Sequence, residues 1–313
     1  LINIFGRRII SFDIRNKNVF YGIGNYMFNK VKIKEMNEFN SNLKFQSDDL
    51  IVVNLPWDLL LHLSIDVPGI TKEKELKEYL QIEVSQNLGM EPEELYFDYV
   101  KPFVDKINVF VVKKYELNQY LDNITSFGIP EPDILYPDIL KEMLMLKRFV
   151  GLNLYFVISN DYSGTMILMD NNLKFMRFSY LNLEYLNRII HDEFGESIYD
   201  IENSNDPELI DRTKQFLKSL IVDFISEIER EILISINSTN GEVSSDILNG
   251  ITIITDSKLV NDSIEENYTL GEILSKKFVG PQLNFSIENY SYLGCMGLLV
   301  RGGNEIGKVK FIH

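Results

Sequence analysis

Hydrophobic and polar positions give the two halves of the chain the same opening. Residues 8–26 form two runs rich in β-branched and aromatic residues around a polar turn, with Asp13 where the first run ends. That is a strand–turn–strand pattern. Residues 152–171 repeat it: an apolar run enters the polar turn 159–164, containing Ser159, Asn160 and Asp161, and leaves it again. Two such hairpins predict two related lobes whose turns face each other across a cleft.

The rest of the chain alternates between periods. After strands at 9–14, 19–24 and 26–36, a weakly helical stretch is expected at 38–45. The continuous apolar run 49–55 reads as a strand buried on both faces. From Trp57 to about Pro132 the texture changes to β-α-β-β-α: a strand at 61–67, a helix from Thr71 to about Gly89, strands at 95–100 and 107–112, and a helix over 114–127. That second helix places Leu117, Tyr120, Leu121 and Ile124 on one face. At about 75 residues this segment has the size of a packed insertion. An apolar helix is expected at 137–149, and after the second hairpin a strand at 173–179, a helix at 182–194, and an acidic, mobile loop at 196–207. The strongest helix runs from Pro207 to about Ile236. A buried strand at 250–255, helices at 257–266 and 270–276, a strand at 283–287 and a small-residue helix at 290–300 complete the pattern. Alternating strands and helices place the chain in the α/β class.

Composition narrows the chemistry. At 313 residues, two lobes are expected rather than one core. A content of 45% hydrophobic residues, including 20 Phe and 16 Tyr, argues against disorder. The formal charge of −15 argues against nucleic acid or anionic lipid headgroups as the main partner. A lone Cys295 excludes an internal disulfide framework and fits a reducing compartment. No apolar run reaches the length of a membrane span, so a soluble, cytoplasmic chain is expected.

Enzyme signatures are sparse. His62, His191 and His313 lack partners at metal-binding spacing, and neither a G-x-S-x-G elbow nor a nucleotide glycine motif is present. The acidic clusters at 73–78 and 91–94 read as solvated faces. What remains is the pair of hairpin turns. Polar turns whose N–H groups point into a cleft can cradle phosphate, and an Asp at a strand end can hold Mg²⁺ through water. The first turn supplies Asp13 followed by Ile14, Arg15, Asn16, Lys17 and Asn18, with no glycine to let backbone approach.

In order and spacing these features resemble the PilM family, actin-like cytoplasmic proteins of type IV pilus assembly, and more distantly FtsA and the cytoplasmic part of GspL. The likeness rests on 4–14, on 64–68 followed by a helix with Glu75 and Glu83, on 90–99, on 109–112 and 127–129, on the strand carrying Arg177, and on 293–301. The resemblance implies an actin-like, ribonuclease H-like duplicated fold: a first lobe of 1–56 plus 133–150, an inserted subdomain of 57–132, and a second lobe of 151–313 with 195–250 as its outer part. It implies capture of the N-terminal tail of a PilN-like bitopic membrane protein, in a groove bordering the insertion near 55–61 and 133–137. It also implies contact with other pilus assembly proteins at the inner face of the membrane, without direct insertion. Family members bind ATP and Mg²⁺ in the central cleft. Here those roles would fall to Asp13, Arg15, Asn16, Lys17, Ser159, Asn160 and Asp161, with Asp13 on the metal. Yet Arg15 stands where the family has glycine, Val157-Ile158-Ser159 replaces the second Asp-Ile-Gly, and Thr255-Asp256-Ser257 replaces a Gly-Gly pair. An eroded nucleotide site and no catalytic residue are therefore expected. The alternative is an ATP-binding protein that rebuilds the site from Arg15, Lys17 and Asp161.

Overall fold

The computed structural model describes residues 7–15, 18–28, 30–40, 43–67, 69–70, 72–103, 106–287 and 289–308. The first lobe starts with β1 (Arg8–Ile14), β2 (Val19–Met27), β3 (Lys30–Glu38) and β4 (Leu50–Leu55). The chain then leaves it for β5 (Leu61–Asp66), α1 (Glu73–Leu88), β6 (Leu95–Phe103), β7 (Lys106–Lys113) and α2 (Lys114–Ser126), and returns with β8 (Ile134–Pro137) and α3 (Asp138–Met143). The second lobe contains β9 (Leu152–Ile158), β10 (Ser163–Met169), β11 (Asn172–Ser179), α4 (Glu184–Phe194), α5 (Ile198–Glu202), α6 (Pro207–Asn237), β12 (Gly250–Thr255), α7 (Lys258–Asn267) and α8 (Leu274–Lys277). The long α9 (Leu293–Lys308) packs back on β1, β2 and β4 of the first lobe.

The two main sheets share one plan. In the first, β3-β2-β1 is an antiparallel meander, and β4 and then β8 join β1 in parallel. In the second, β11-β10-β9 is the same meander and β12 joins β9 in parallel. A meander followed by parallel strands, occurring twice in one chain, is the duplicated α/β plan of the actin-like fold. Strands β5-β7-β6 form a separate antiparallel sheet, with Leu76, Leu80 and Val84 of α1 buried against Val109 and Val111.

The central strands read as unbroken apolar runs because both faces are covered. Every residue of β4, β9 and β12 is buried. Between the lobes lies a third core in which Ile139 and Met143 of α3 and Leu293 and Met296 of α9 meet Tyr155, Val157 and Tyr162. Close approach of α9 depends on its glycines. A Cβ at Gly297 would sit 2.0 Å from the Lys141 carbonyl oxygen, and one at Gly294 would meet the Asp13 carboxylate.

Four expected elements differ. None of the described residues of 38–45 is helical; instead Phe39 and Phe45 reach back singly to Phe12, at ring distances of 5.3 and 6.2 Å. The helix expected at 137–149 stops at Met143, because its apolar continuation pairs with the segment expected as a strand at 283–287. A lone antiparallel bridge joins Leu146 to Leu283, and Lys147 N–H donates to the Gln282 carbonyl. The loop expected at 196–207 contains α5, opened by the Ser197 cap, with Ile198 and Ile201 fully buried. Acidic neighbours hid that three-residue apolar spacing.

Candidate functional site

The two hairpin turns do meet, and the space between them is occupied by the protein's own charges. Asp13, at the end of β1, is fully buried and accepts hydrogen bonds from Lys141 Nζ (2.5 Å) and from Arg15 Nε and Nη2 (3.1 and 2.8 Å). Lys141 is brought there by α3. One turn earlier on that helix, Asp138 accepts from Lys141 (2.7 Å), from Asn54 Nδ2 (2.8 Å) and from the Trp57 N–H (3.1 Å). Glu142, also buried, lies 3.7 Å from Lys141 and accepts from the Tyr162 hydroxyl of the second lobe.

Arg15 carries the network across the cleft. Its Nη1 donates to Asp256 Oδ2 (2.9 Å) at the end of β12, and its Nη2 to the Ser291 carbonyl (2.9 Å). Asp256 also accepts from Ser159 Oγ (2.8 Å), the Asn160 N–H (3.2 Å) and the Tyr199 hydroxyl (3.0 Å). Asn160 Nδ2 in turn donates to Asp161. The Arg15 guanidinium thus ties the first turn to the loop after β12, and the Asp256 carboxylate ties that loop to the second turn.

Burial and charge act in opposite directions on each group. For Asp13, burial disfavours the anion, but Lys141 and Arg15 together hold the carboxyl below its ordinary range. Lys141 is raised, because Asp13 and Asp138 outweigh its burial. Glu142 goes the other way: burial, with Asp13 and Asp138 nearby, overcomes the pull of Lys141 and pushes it up to about 8. The Cys295 thiol, buried beside Asp13, is also raised.

Above this floor opens a cleft of about 600 Å³, walled by Trp57, Leu59, Tyr120 and Phe127 and reached by Asp58 and Asp161. Of the residues singled out from sequence, Asp13, Arg15, Ser159, Asn160 and Asp161 converge here, while Asn16 and Lys17 lie outside the described residues. Arg177 is elsewhere, donating to Glu231 of α6 (2.8 Å). Lys141, Asp138 and Glu142 were not foreseen. Their signal was two charges three residues apart inside an apolar run, which places both on one helix face.

A second concavity, of about 330 Å³, separates the first lobe from the β5-β7-β6 sheet. Leu135, Tyr136 and Pro137 of β8 and Leu140 of α3 form one side. Phe97, Tyr99 and Val100 of β6 form the other, over a floor that includes Leu55, Leu60 and Phe110. Strands β8 and β6 are each the last strand of their sheet. Arg301 of α9 stacks over Tyr136 at the rim, 5.5 Å from the ring centre.

These features define an actin-like α/β protein of two related lobes with an added α+β unit. No protein-family model matches the sequence, and no curated protein does. Among solved structures, a PilM–PilN type IV pilus biogenesis complex is similar at 13% identity and a TM-score of 0.66, over 94% of this chain and 98% of that one. Weaker likenesses join it. One is the cytoplasmic domain of EpsL, an inner-membrane component of the Vibrio cholerae type II secretion system, at 10% identity, 95% of both chains and a TM-score of 0.48. Another is the ethanolamine utilization protein EutJ from Carboxydothermus hydrogenoformans, at 7% identity, 94% and 89% coverage and a TM-score of 0.47. At such identities the likeness establishes the fold.

Proposed function

We propose that the protein is a non-catalytic docking component of a type IV pilus or related secretion-type assembly. It holds the N-terminal tail of a PilN-like single-span membrane protein in the groove between β6 and β8, stays at the cytoplasmic face through that partner, and does not use ATP. The observation that carries the reading is an open apolar groove beside a cleft whose charges are already satisfied. An extended tail can add to the free edge of β6 or β8 while alternate side chains enter the apolar floor, the usual chemistry of strand addition. The similar solved complex is named for an association of PilM with PilN.

The cleft residues do not fit a magnesium nucleotide. Both oxygens of Asp13 are engaged by cations, and both cations are engaged by carboxylates. A polyphosphate would meet Asp58, Asp138 and Asp161 with no free counter-charge among the described residues lining the cleft. Side chains at Arg15 and Ser159 also stand where close backbone approach calls for glycine.

The test is a calorimetric titration with a synthetic peptide copying the first residues of a PilN-like single-span membrane protein from the same genome. Saturable binding that is lost in Tyr96→Asp, a half-exposed residue of β6 that lines the groove, is expected, with the melting temperature retained. A wild-type protein that takes up no peptide ends the docking assignment.

A further inference from the structure

The charge of −15 is not evenly spread. Asp and Glu make up 46 of 313 residues, yet residues 14–34 contain none, while carrying Arg15, Lys17, Lys30, Lys32 and Lys34. Three of these cations line one face of the β2–β3 hairpin. Lys30, Lys32 and Lys34 are exposed, whereas Val31 and Ile33 between them turn inward beneath α9. Strand alternation puts the three lysines on one face, with Lys32 opposite Asn25 in the ladder. Among the described residues, none of the three forms an ion pair. Lys72, Lys74 and Lys77 around α1 each have a glutamate.

At the tip of this hairpin stands Phe28, 91% exposed and in the left-handed backbone region (φ 51°). That conformation suits glycine or asparagine and disfavours a bulky aromatic. Phe28 is therefore costly on two counts, for its backbone and for its ring in water, and no contact among the described residues offsets either.

We propose that the β2–β3 hairpin adsorbs to an anionic lipid surface, with the lysine row at the phosphate headgroups and Phe28 at the level just beneath them. Lysines on an edge strand can serve solely to prevent strand-to-strand association, and a cationic row alone would suit any polyanion. The exposed aromatic tip favours a bilayer, because only there does an apolar layer lie directly below a charged one. The contact is peripheral: no helix among the described residues is long and apolar enough to cross a membrane. It is also independent of the groove, which lies at the opposite, β8 edge of the same sheet.

The test is co-sedimentation of the whole chain with phosphatidylcholine vesicles, with and without phosphatidylglycerol, at low and high salt. Binding to the anionic vesicles alone, falling with salt, is expected. Lys30→Gln/Lys32→Gln/Lys34→Gln should lower partitioning by roughly fivefold per lysine, about a hundredfold together. Phe28→Asn, which suits the backbone, should weaken binding several-fold while leaving the fold as stable or more so. Tyr96→Asp, in the groove, should bind vesicles normally, which separates this proposal from the docking assignment. Equal binding to both vesicle types, no effect of the triple substitution, or preference for duplex DNA over vesicles would each overturn it. So would a triple variant that self-associates with vesicle binding unchanged, since the lysines would then only guard the edge.

Discussion

The central cleft and the apolar groove lie on either side of α3 and are built on opposite terms. In the cleft, charged groups from both lobes pair with one another: Lys141 lies between Asp13 and Asp138, and Arg15 between Asp13 and Asp256. In the groove, two strands with one unpaired edge each, among the described residues, border apolar side chains that are packed from behind by the core and open on their outer side. A site whose charges are internally paired contributes to the fold and offers little to a ligand. A concave surface with free strand edges and apolar lining costs stability and offers both specificity and affinity. On the function proposed above, the groove is the binding site and the cleft is structural.

The largest expected effect comes from breaking the cleft. Lys141→Met removes the one ammonium that serves two buried carboxylates, and should cost about 3–5 kcal/mol of unfolding free energy, measured by urea denaturation. Parental stability in that variant would mean that the network is not structural. Next comes the groove: Tyr96→Asp places a charge on its half-exposed β6 wall and should weaken peptide binding by roughly thirtyfold or more, with the urea midpoint almost unmoved. A smaller loss, about 1–3 kcal/mol, is expected for Arg15→Gln, which opens the link between the turns but leaves Lys141 in place. Peptide affinity should be unchanged in that variant.

The smallest effect is a slope. Glu142 carries its proton in the folded protein up to about pH 8, but releases it near 4.5 when unfolded. Between those values the folded state binds more protons, so this group's contribution declines as pH rises through the window and then levels off. Glu202, raised to about 7 chiefly by burial, adds the same sign over a narrower range. Asp13 behaves oppositely: held below its ordinary range, it contributes above that range and is lost on acidification. Glu142→Gln should therefore flatten the decline in stability from about pH 5 to 8, as followed by denaturant midpoints across pH. An unaltered slope would show that Glu142 ionises normally.

Much of this arrangement was legible in the sequence. The paired hairpins, the buried strands and the β-α-β-β-α segment each follow from a two-residue or 3.6-residue period, and these local patterns survive in the fold. The meeting of Asp13, Arg15 and the 159–161 turn followed from the repeat of the hairpin. What was not legible depends on contacts distant in sequence. Lys141 reads as one charge in an apolar helix until α3 brings it to Asp13, 128 residues away. Asp256 reads as the residue that replaces a glycine until Arg15 reaches it. The stretch 38–45 has helical composition, but Phe39 and Phe45 gain more by packing on Phe12. Likewise 144–149 gives up its helix to pair with 282–284.

The central claim, that ligand capture belongs to the groove and not to the nucleotide cleft, is met most directly by one calorimetric experiment. The N-terminal peptide of a PilN-like single-span membrane protein from the same genome is titrated into the intact chain, first alone and then with saturating ATP and Mg²⁺. The account predicts one saturable peptide isotherm of the same affinity in both, and no heat of binding for the nucleotide. Peptide binding that appears only with nucleotide, or saturable ATP binding abolished by Asp13→Ala, would contradict it.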